Sequence, residues 1–465
     1  NKKLLFIFVL SFLLRLIALN QSLWLDEGTT AKVIQLYSFV GIVTKFSLFD
    51  FHPPLYYLFM KIWTNIFGYS GIALRMPSVI FSLLTGLVVY KIGEIIKDKQ
   101  TGLWAAIFFL FNPLIIYYSQ EARMYMLSTF FLTGALLYVI KTTENPKDQY
   151  WKNMILFNLF SILSFYTFYG SAFLIASFFI YFSYKKQYRL FFISLIFHLI
   201  SLIIISPLLI QQFIHARQSL QIVMNWEQVL GTVTLKNVVL IPLKFSSGRI
   251  SFEPKIFYYL ICGIWAFLVW FFVMKGGAKN RLFLFLMIAP LAIGFIFSFF
   301  SPLLQYFRFL YLIPLMSLLL VISDKQLLYD RAKVIIVCGF IIFSISYLFI
   351  PKFHREDWKS LALSLRNIQT VYMISPSSDA LKYYSPQIIV KELRTLEGIE
   401  LEKQIVMVPY TVEIYGFDYK KELMKRGFTF KEVKTFRGLW YEVWVKNKDY
   451  AFIGSFRHSF ITAKT

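Results

Sequence analysis

Asp26 and Glu27 stand side by side in Leu25-Asp26-Glu27, and 25 residues later comes Phe51-His52-Pro53-Pro54-Leu55. A carboxylate within hydrogen-bond reach of a hydroxyl can accept its proton and turn a weak nucleophile into a useful one. A third group, Ser119-Gln120-Glu121-Ala122-Arg123-Met124-Tyr125, brings an arginine, and Arg75-Met76-Pro77-Ser78 brings another. Guanidinium groups bind phosphate oxygens two at a time and stay charged when half buried. Taken alone, the two acids could equally mark a water boundary and Arg123 could be a cation snorkelling at a helix end.

These polar groups interrupt a very apolar chain. The 465 residues are 58% hydrophobic and 20% aromatic, with 16% charged residues against the roughly 25% usual in soluble domains. A soluble globule and a disordered chain are both excluded. The two cysteines, Cys262 and Cys338, lie in separate apolar runs and make no disulfide framework.

A net charge of +23 would suggest nucleic acid in a soluble protein, but net +17 of it falls within residues 1–350, among the apolar runs. Eleven stretches of about the length that crosses a bilayer occur there: 4–19, 73–90, 103–118, 124–140, 154–168, 170–184, 190–210, 256–274, 282–300, 308–323 and 334–350. Lys and Arg crowd the short connections on the side of the amino terminus, which the positive-inside rule makes cytoplasmic. No small-x-small site follows the first run, which ends Ala18-Leu19-Asn20, so it is expected to stay as a span.

An odd number of spans puts three segments outside: the loop at about 20–72, a second at 211–255, and the tail from 351. The three polar groups lie on that same face. The first loop is too long for a mere connector and is expected to hold interfacial helices near 27–40 and 54–67. Leu55, Leu58, Phe59, Ile62 and Ile66 recur at helical spacing in the second. The second loop, with His215, Arg217, Trp226, Glu227 and Glu253, is a candidate lid or acceptor-binding element.

The tail reads as a small α/β domain. Helices are expected at 356–367 and 418–426, strands at 371–374, 388–391 and 404–410, and a hairpin over 428–447 turning at Arg437-Gly438. The expected domains are therefore 1–350, membrane-embedded, and 351–465, extracytoplasmic.

In order and spacing these residues resemble the GT-C glycosyltransferases that use polyprenyl-phosphate sugars, of the protein O-mannosyltransferase and aminoarabinose transferase type. The resemblance rests on Asp26-Glu27, His52-Pro53-Pro54-Leu55, Arg75-Met76-Pro77-Ser78 and Ser119 to Tyr125. Arg308-Phe309-Leu310-Tyr311-Leu312-Ile313-Pro314 and Arg355-Glu356-Asp357-Trp358-Lys359 extend it more weakly.

The resemblance implies an integral membrane enzyme of the cytoplasmic membrane. It would move a sugar, with inversion, from a polyprenyl-monophosphate carrier to a hydroxyl acceptor on a protein, glycolipid or polymer. By family position Asp26 is the base and Glu27 its helper, although their roles could be exchanged. Arg123 binds the donor phosphate, with Arg75 and Arg308 as further candidates, and His52, Glu121 and Tyr125 as substrate ligands. His52 with Asp26 and Glu27 could instead hold a divalent metal, and no other cofactor is implied. A multispanning secondary transporter is the alternative; it would place its ionisable groups near the midplane of repeated halves, whereas here they cluster at span ends.

Overall fold

The computed structural model describes residues 2–144, 149–223, 225, 231–322 and 327–447. Trp226 and Glu227 lie outside the described residues. The chain forms two compact units. One comprises residues 1–21, 33–218 and 227–354; the other comprises 22–32, 219–226 and 355–465.

The first unit is helical. In chain order it contains α1 (Lys2–Leu16), the later turns of α2 (Leu25–Leu36), α3 (Leu55–Phe67), α4 (Gly71–Ile96), α5 (Lys99–Leu110), α6 (Pro113–Ser119), α7 (Tyr125–Glu144) and α8 (Tyr150–Thr167). There follow α9 (Ala172–Tyr184), α10 (Tyr188–Ile222), α11 (Leu235–Ser247), α12 (Lys255–Lys279), α13 (Arg281–Phe297), α14 (Ile313–Leu319) and α15 (Leu327–Phe349).

Among the described residues, five helices are long and apolar enough to cross a membrane, within α4, α7, α10, α12 and α15. The pair α5 and α6, bent by 62°, makes a sixth if taken as one span. Other expected spans are shorter apolar helices, such as α13. Large apolar side chains stand exposed along the long helices, among them Ile203 and Ile204 on α10, Phe267 on α12 and Ile342 on α15. Such continuous apolar surface is what a bilayer covers.

Local sequence explains the corners that carry the polar groups. Ser70 caps α4 by accepting from Ala73 N, and Asp98 caps α5 by accepting from Thr101 N. Asn112 Oδ1 accepts from the backbone of both Leu114 and Ile115, and Pro113 occupies the first turn of α6. The break between α5 and α6 is therefore written into Phe111-Asn112-Pro113, and α6 delivers Ser119 to Arg123 into the turn before α7. Helix α3 buries Tyr56, Tyr57, Met60 and Thr64, while Ile62, Ile66 and Phe67 face outward, as suits a helix lying in a headgroup layer.

The second unit holds a five-stranded sheet in the order β2-β1-β3-β5-β4, with β1 (Thr370–Met373), β2 (Ile389–Glu392), β3 (Gln404–Val408), β4 (Phe428–Phe436) and β5 (Leu439–Lys446). Strand β1 pairs in parallel with β2 and β3, and β5 runs antiparallel to β3 and β4. Period-two alternation divides its core: Val371 and Met373 face one cluster around Trp358, and Tyr372 and Ile374 face another around Trp444. Helices α16 (Trp358–Ser364), α17 (Asp379–Tyr384) and α18 (Tyr419–Lys425) pack on the sheet, and Gly438, with φ of +70°, turns the hairpin. The structure adds one thing the sequence did not suggest: residues 22–32 of the first loop belong to this unit.

Candidate functional site

In the first unit the polar groups gather around a residue that the sequence reading passed over, Asp50. Its carboxylate lies 3.3 Å from His52 Nδ1, and its side chain is 15% exposed. The Tyr57 hydroxyl, at the start of α3, interacts with both the Asp50 carboxylate and the Arg123 guanidinium. Burial alone would raise the Asp50 carboxyl, but the charges of His52 and Arg123 and the Tyr57 hydroxyl outweigh it and hold it below the usual carboxylate range. The loop itself is fastened by Gln212 of α10, whose Nε2 donates to the carbonyls of Ser47 and His52 at 2.7 and 3.1 Å. Tyr169 donates to Gln212 Oε1 at 2.7 Å.

Arg123 and Glu121 are both buried, at 4% and 3% exposure, in the turn between α6 and α7. Arg249, which follows α11, reaches this turn: its Nη1 is 3.7 Å from Glu121 Oε1 and donates to the Tyr117 hydroxyl at 2.7 Å. Nothing in the sequence singled Arg249 out, because it is 126 positions from Arg123 and no motif surrounds it. Arg308 approaches Tyr125, whose ring packs edge-on against Tyr118 and Phe307. Arg123, Arg249 and Arg308 thus all border the segment from Tyr117 to Tyr125.

Arg75, expected as a further donor-phosphate candidate, is almost fully buried, and its Nη1 donates to the carbonyls of Leu19 and Gln21 at 2.8 and 2.7 Å. Gln120 does the same one step earlier in the chain, with Nε2 donating to the carbonyls of Arg15 and Ile17. Ser78 Oγ donates to the Glu121 carbonyl at 2.6 Å. The last carbonyls of a helix have no partner of their own, so Arg75 and Gln120 together fix the chain where it leaves α1.

Asp26 and Glu27 belong to the second unit, on the first turn of α2. Glu27 is fully buried, and its Oε2 accepts from the Trp24 backbone N–H at 3.2 Å. Asp26 is half-buried. The turn is tied to the tail by Lys32 and Thr29, which reach the two Asp379 oxygens at 2.8 and 3.1 Å. Leu23 N donates to the Tyr384 hydroxyl at 2.8 Å. Gly28 lies against α17 so closely that a Cβ there would fall 2.5 Å from the Ala380 backbone. Across the sheet, Tyr410 lies within the electrostatic reach of both Asp26 and Glu356.

The remaining candidates are placed elsewhere. His215, near the end of α10, is 4.3 Å ring to ring from Phe49, Arg217 lies over Phe213, and Glu253 pairs with Lys255 in the open. Among the described residues, no three His, Cys, Asp or Glu side chains gather as metal ligands. Asp50 and His52 form a pair only, which is too few for the coordination that a divalent ion requires.

Two comparisons bear on the class of protein. Residues 51–211 match the family model of dolichyl-phosphate-mannose-protein mannosyltransferases, and the fold is the GT-C fold of membrane glycosyltransferases. The resemblance drawn from the motifs is thereby borne out. The whole fold is similar to ArnT from Cupriavidus metallidurans bound to undecaprenyl phosphate, with a TM-score of 0.62 and 11% identity over 94% of this chain and 97% of that one. The apo form of the same protein gives 0.58. The archaeal oligosaccharyltransferase AglB from Archaeoglobus fulgidus, in complex with an inhibitory peptide and a dolichol-phosphate, gives 0.55 at 11% identity, over 94% of this chain and 74% of that one. No curated protein matches the sequence. The transporter alternative has no support in either comparison.

Proposed function

We propose that this chain is an inverting glycosyltransferase of the cytoplasmic membrane that moves a sugar from a polyprenyl-monophosphate carrier to a hydroxyl acceptor at the extracytoplasmic face. The observation that carries the reading is the buried Arg123 within the segment matched by the family model, beside Asp50, His52 and Tyr57. A guanidinium in such surroundings stabilises a growing phosphate charge more than it would in water.

In the proposed reaction the acceptor oxygen attacks the anomeric carbon while Asp26 takes its proton. The bond from that carbon to the phosphate oxygen breaks, and polyprenyl phosphate leaves with the electron pair. Arg123 meets the phosphate, with Arg308 and Arg249 adding positive charge, while His52, Glu121 and Tyr125 contact the substrate. Between the two acids, burial favours Asp26 as the base: Glu27 is shut in and holds its own turn, whereas Asp26 retains access. Arg75, the remaining arginine candidate for the donor phosphate, also supports the end of α1.

The test is to incubate the full-length protein in nanodiscs with a decaprenyl-phosphate sugar and follow free decaprenyl phosphate together with labelled acceptor. Release and transfer by the wild type, both lost in Asp26→Asn, are expected. Donor moved across vesicles without cleavage would overturn the reading in favour of transport.

A further inference from the structure

The tail brings its own polar site to Asp26. Glu356 is fixed by the hairpin turn: Asp357 N donates to the Arg437 carbonyl at 2.9 Å and Arg437 Nε donates to the Arg355 carbonyl at 2.7 Å. Gly438 lets the turn lie against Glu356, whose Cγ would be 3.1 Å from a Cβ there. The Tyr410 hydroxyl donates to Glu356 Oε1 at 3.4 Å. Its ring stands edge-on to Trp358, with centroids 4.9 Å apart. Burial first, and then the Glu356 and Asp26 carboxylates, push the Tyr410 hydroxyl up, which keeps it a donor.

Three buried polar atoms remain unmatched among the described residues of this region: Glu356 Oε2, an acceptor, and the indole nitrogens of Trp24 and Trp358, both donors. The Arg355 guanidinium covers the Trp24 ring at 3.6 Å from its centroid. A native fold rarely leaves a carboxylate oxygen buried and unbonded, so such an atom calls for a ligand. The hydroxyl of an alcohol donates to a carboxylate oxygen such as Glu356 Oε2 and accepts from an indole N–H. The family model ends before the tail and begins after Asp26, so it leaves the acceptor side undefined.

We infer that Glu356, held by Tyr410, binds a second hydroxyl of a sugar acceptor whose attacking hydroxyl gives its proton to Asp26, with the Trp24 indole N–H as the complementary donor. The inference rests on the glycosyltransferase reading above. It makes the acceptor a glycan carrying neighbouring hydroxyls, not a serine or threonine side chain with only one.

The experiment uses the full-length protein in nanodiscs, decaprenyl-phosphate glucose, mannose and galactose as donors, and methyl glycosides of the common hexoses or a Ser/Thr-rich peptide as acceptors. At least one methyl glycoside should be glycosylated. Glu356→Gln should raise its KM about tenfold with the donor KM unmoved, as expected when a charged hydrogen-bond acceptor is weakened. Tyr410→Phe, which keeps the ring packing, should raise the acceptor KM about threefold and so serves if Glu356→Gln does not fold. An unchanged acceptor KM in both variants, a raised donor KM, or transfer to the peptide alone would overturn the inference while leaving the glycosyltransferase reading intact. Failure of the wild type to cleave any of the donors would instead remove the reading on which it rests.

Discussion

The Asp50 carboxylate pairs with His52 Nδ1 at 3.3 Å and carries Tyr57 and Arg123 in the same electrostatic group. This relationship ties the loop before α3 to the turn before α7. The carboxylate offsets part of the positive charge of Arg123. Asp50→Asn is expected to lower sugar transfer by more than tenfold, with the loss appearing in the donor KM as well as in kcat, because the electrostatic balance around the guanidinium changes. Steady-state kinetics with varied donor checks this.

The same group makes a pH prediction. A carboxyl held below its ordinary value adds stability that is fully present above its unfolded pKa of about 3.9 and fades as pH falls through its folded value. The stability that the Asp50 carboxylate contributes over Asp50→Asn in thermal unfolding should thus fade as pH falls below about pH 4. A difference that persisted undiminished well below about pH 4 would contradict the arrangement.

Asp26→Asn is expected to reduce turnover by about two orders of magnitude or more while donor binding and folding persist. Near-normal turnover would remove the base assignment.

Arg123→Ala should weaken donor binding and slow transfer, and Arg123→Lys should restore only part of it, since a point charge replaces a planar fork. Titration of the detergent-solubilised variants with decaprenyl phosphate reads the effect directly. Binding indifferent to both changes would move the phosphate site elsewhere.

Gly28 and Gln120 should act through structure. A methyl group at position 28 meets the Ala380 backbone, and overpacking of that kind costs about 1–3 kcal/mol. Gln120→Ala strips two carbonyls at the end of α1 of their donor, at about 1–3 kcal/mol. Both should lower the unfolding temperature, and Gly28→Ala should also reduce transfer through displacement of Asp26. A Gly28→Ala variant as stable and active as wild type would show that the two segments do not need this close approach.

Much of the architecture was legible in the chain. Helical spacing and prolines located α3, and alternation with Arg437-Gly438 located the hairpin, whereas the break at Asn112-Pro113 fell inside the single span expected over 103–118. Each of these is a local effect of periodicity, capping or turn geometry, in which the deciding partners are a few residues apart. The position of Glu121 and Arg123 at the end of one helix and the start of the next was legible for the same reason.

What a side chain does once it is there depends on partners that are distant in sequence. Nothing local distinguishes Arg75, which serves the carbonyls of Leu19 and Gln21, from Arg123, which joins Asp50 and Tyr57. Both are arginines beside a helix start, and only the folded chain decides which neighbours each can reach. Asp50 was not singled out in the sequence at all, and only the fold brings His52 and Arg123 into its electrostatic reach. Arg249 had no local signal, and Glu356 only its place in Arg355-Glu356-Asp357-Trp358-Lys359, because their partners lie over a hundred and over fifty positions away. The sequence by itself determined the membrane class, the helices and the family likeness, since hydrophobic burial and backbone hydrogen bonding act residue by residue. The assignment of charges to partners was decided by tertiary structure alone, because electrostatic interactions depend on distance and burial, and neither is a property of a sequence neighbourhood.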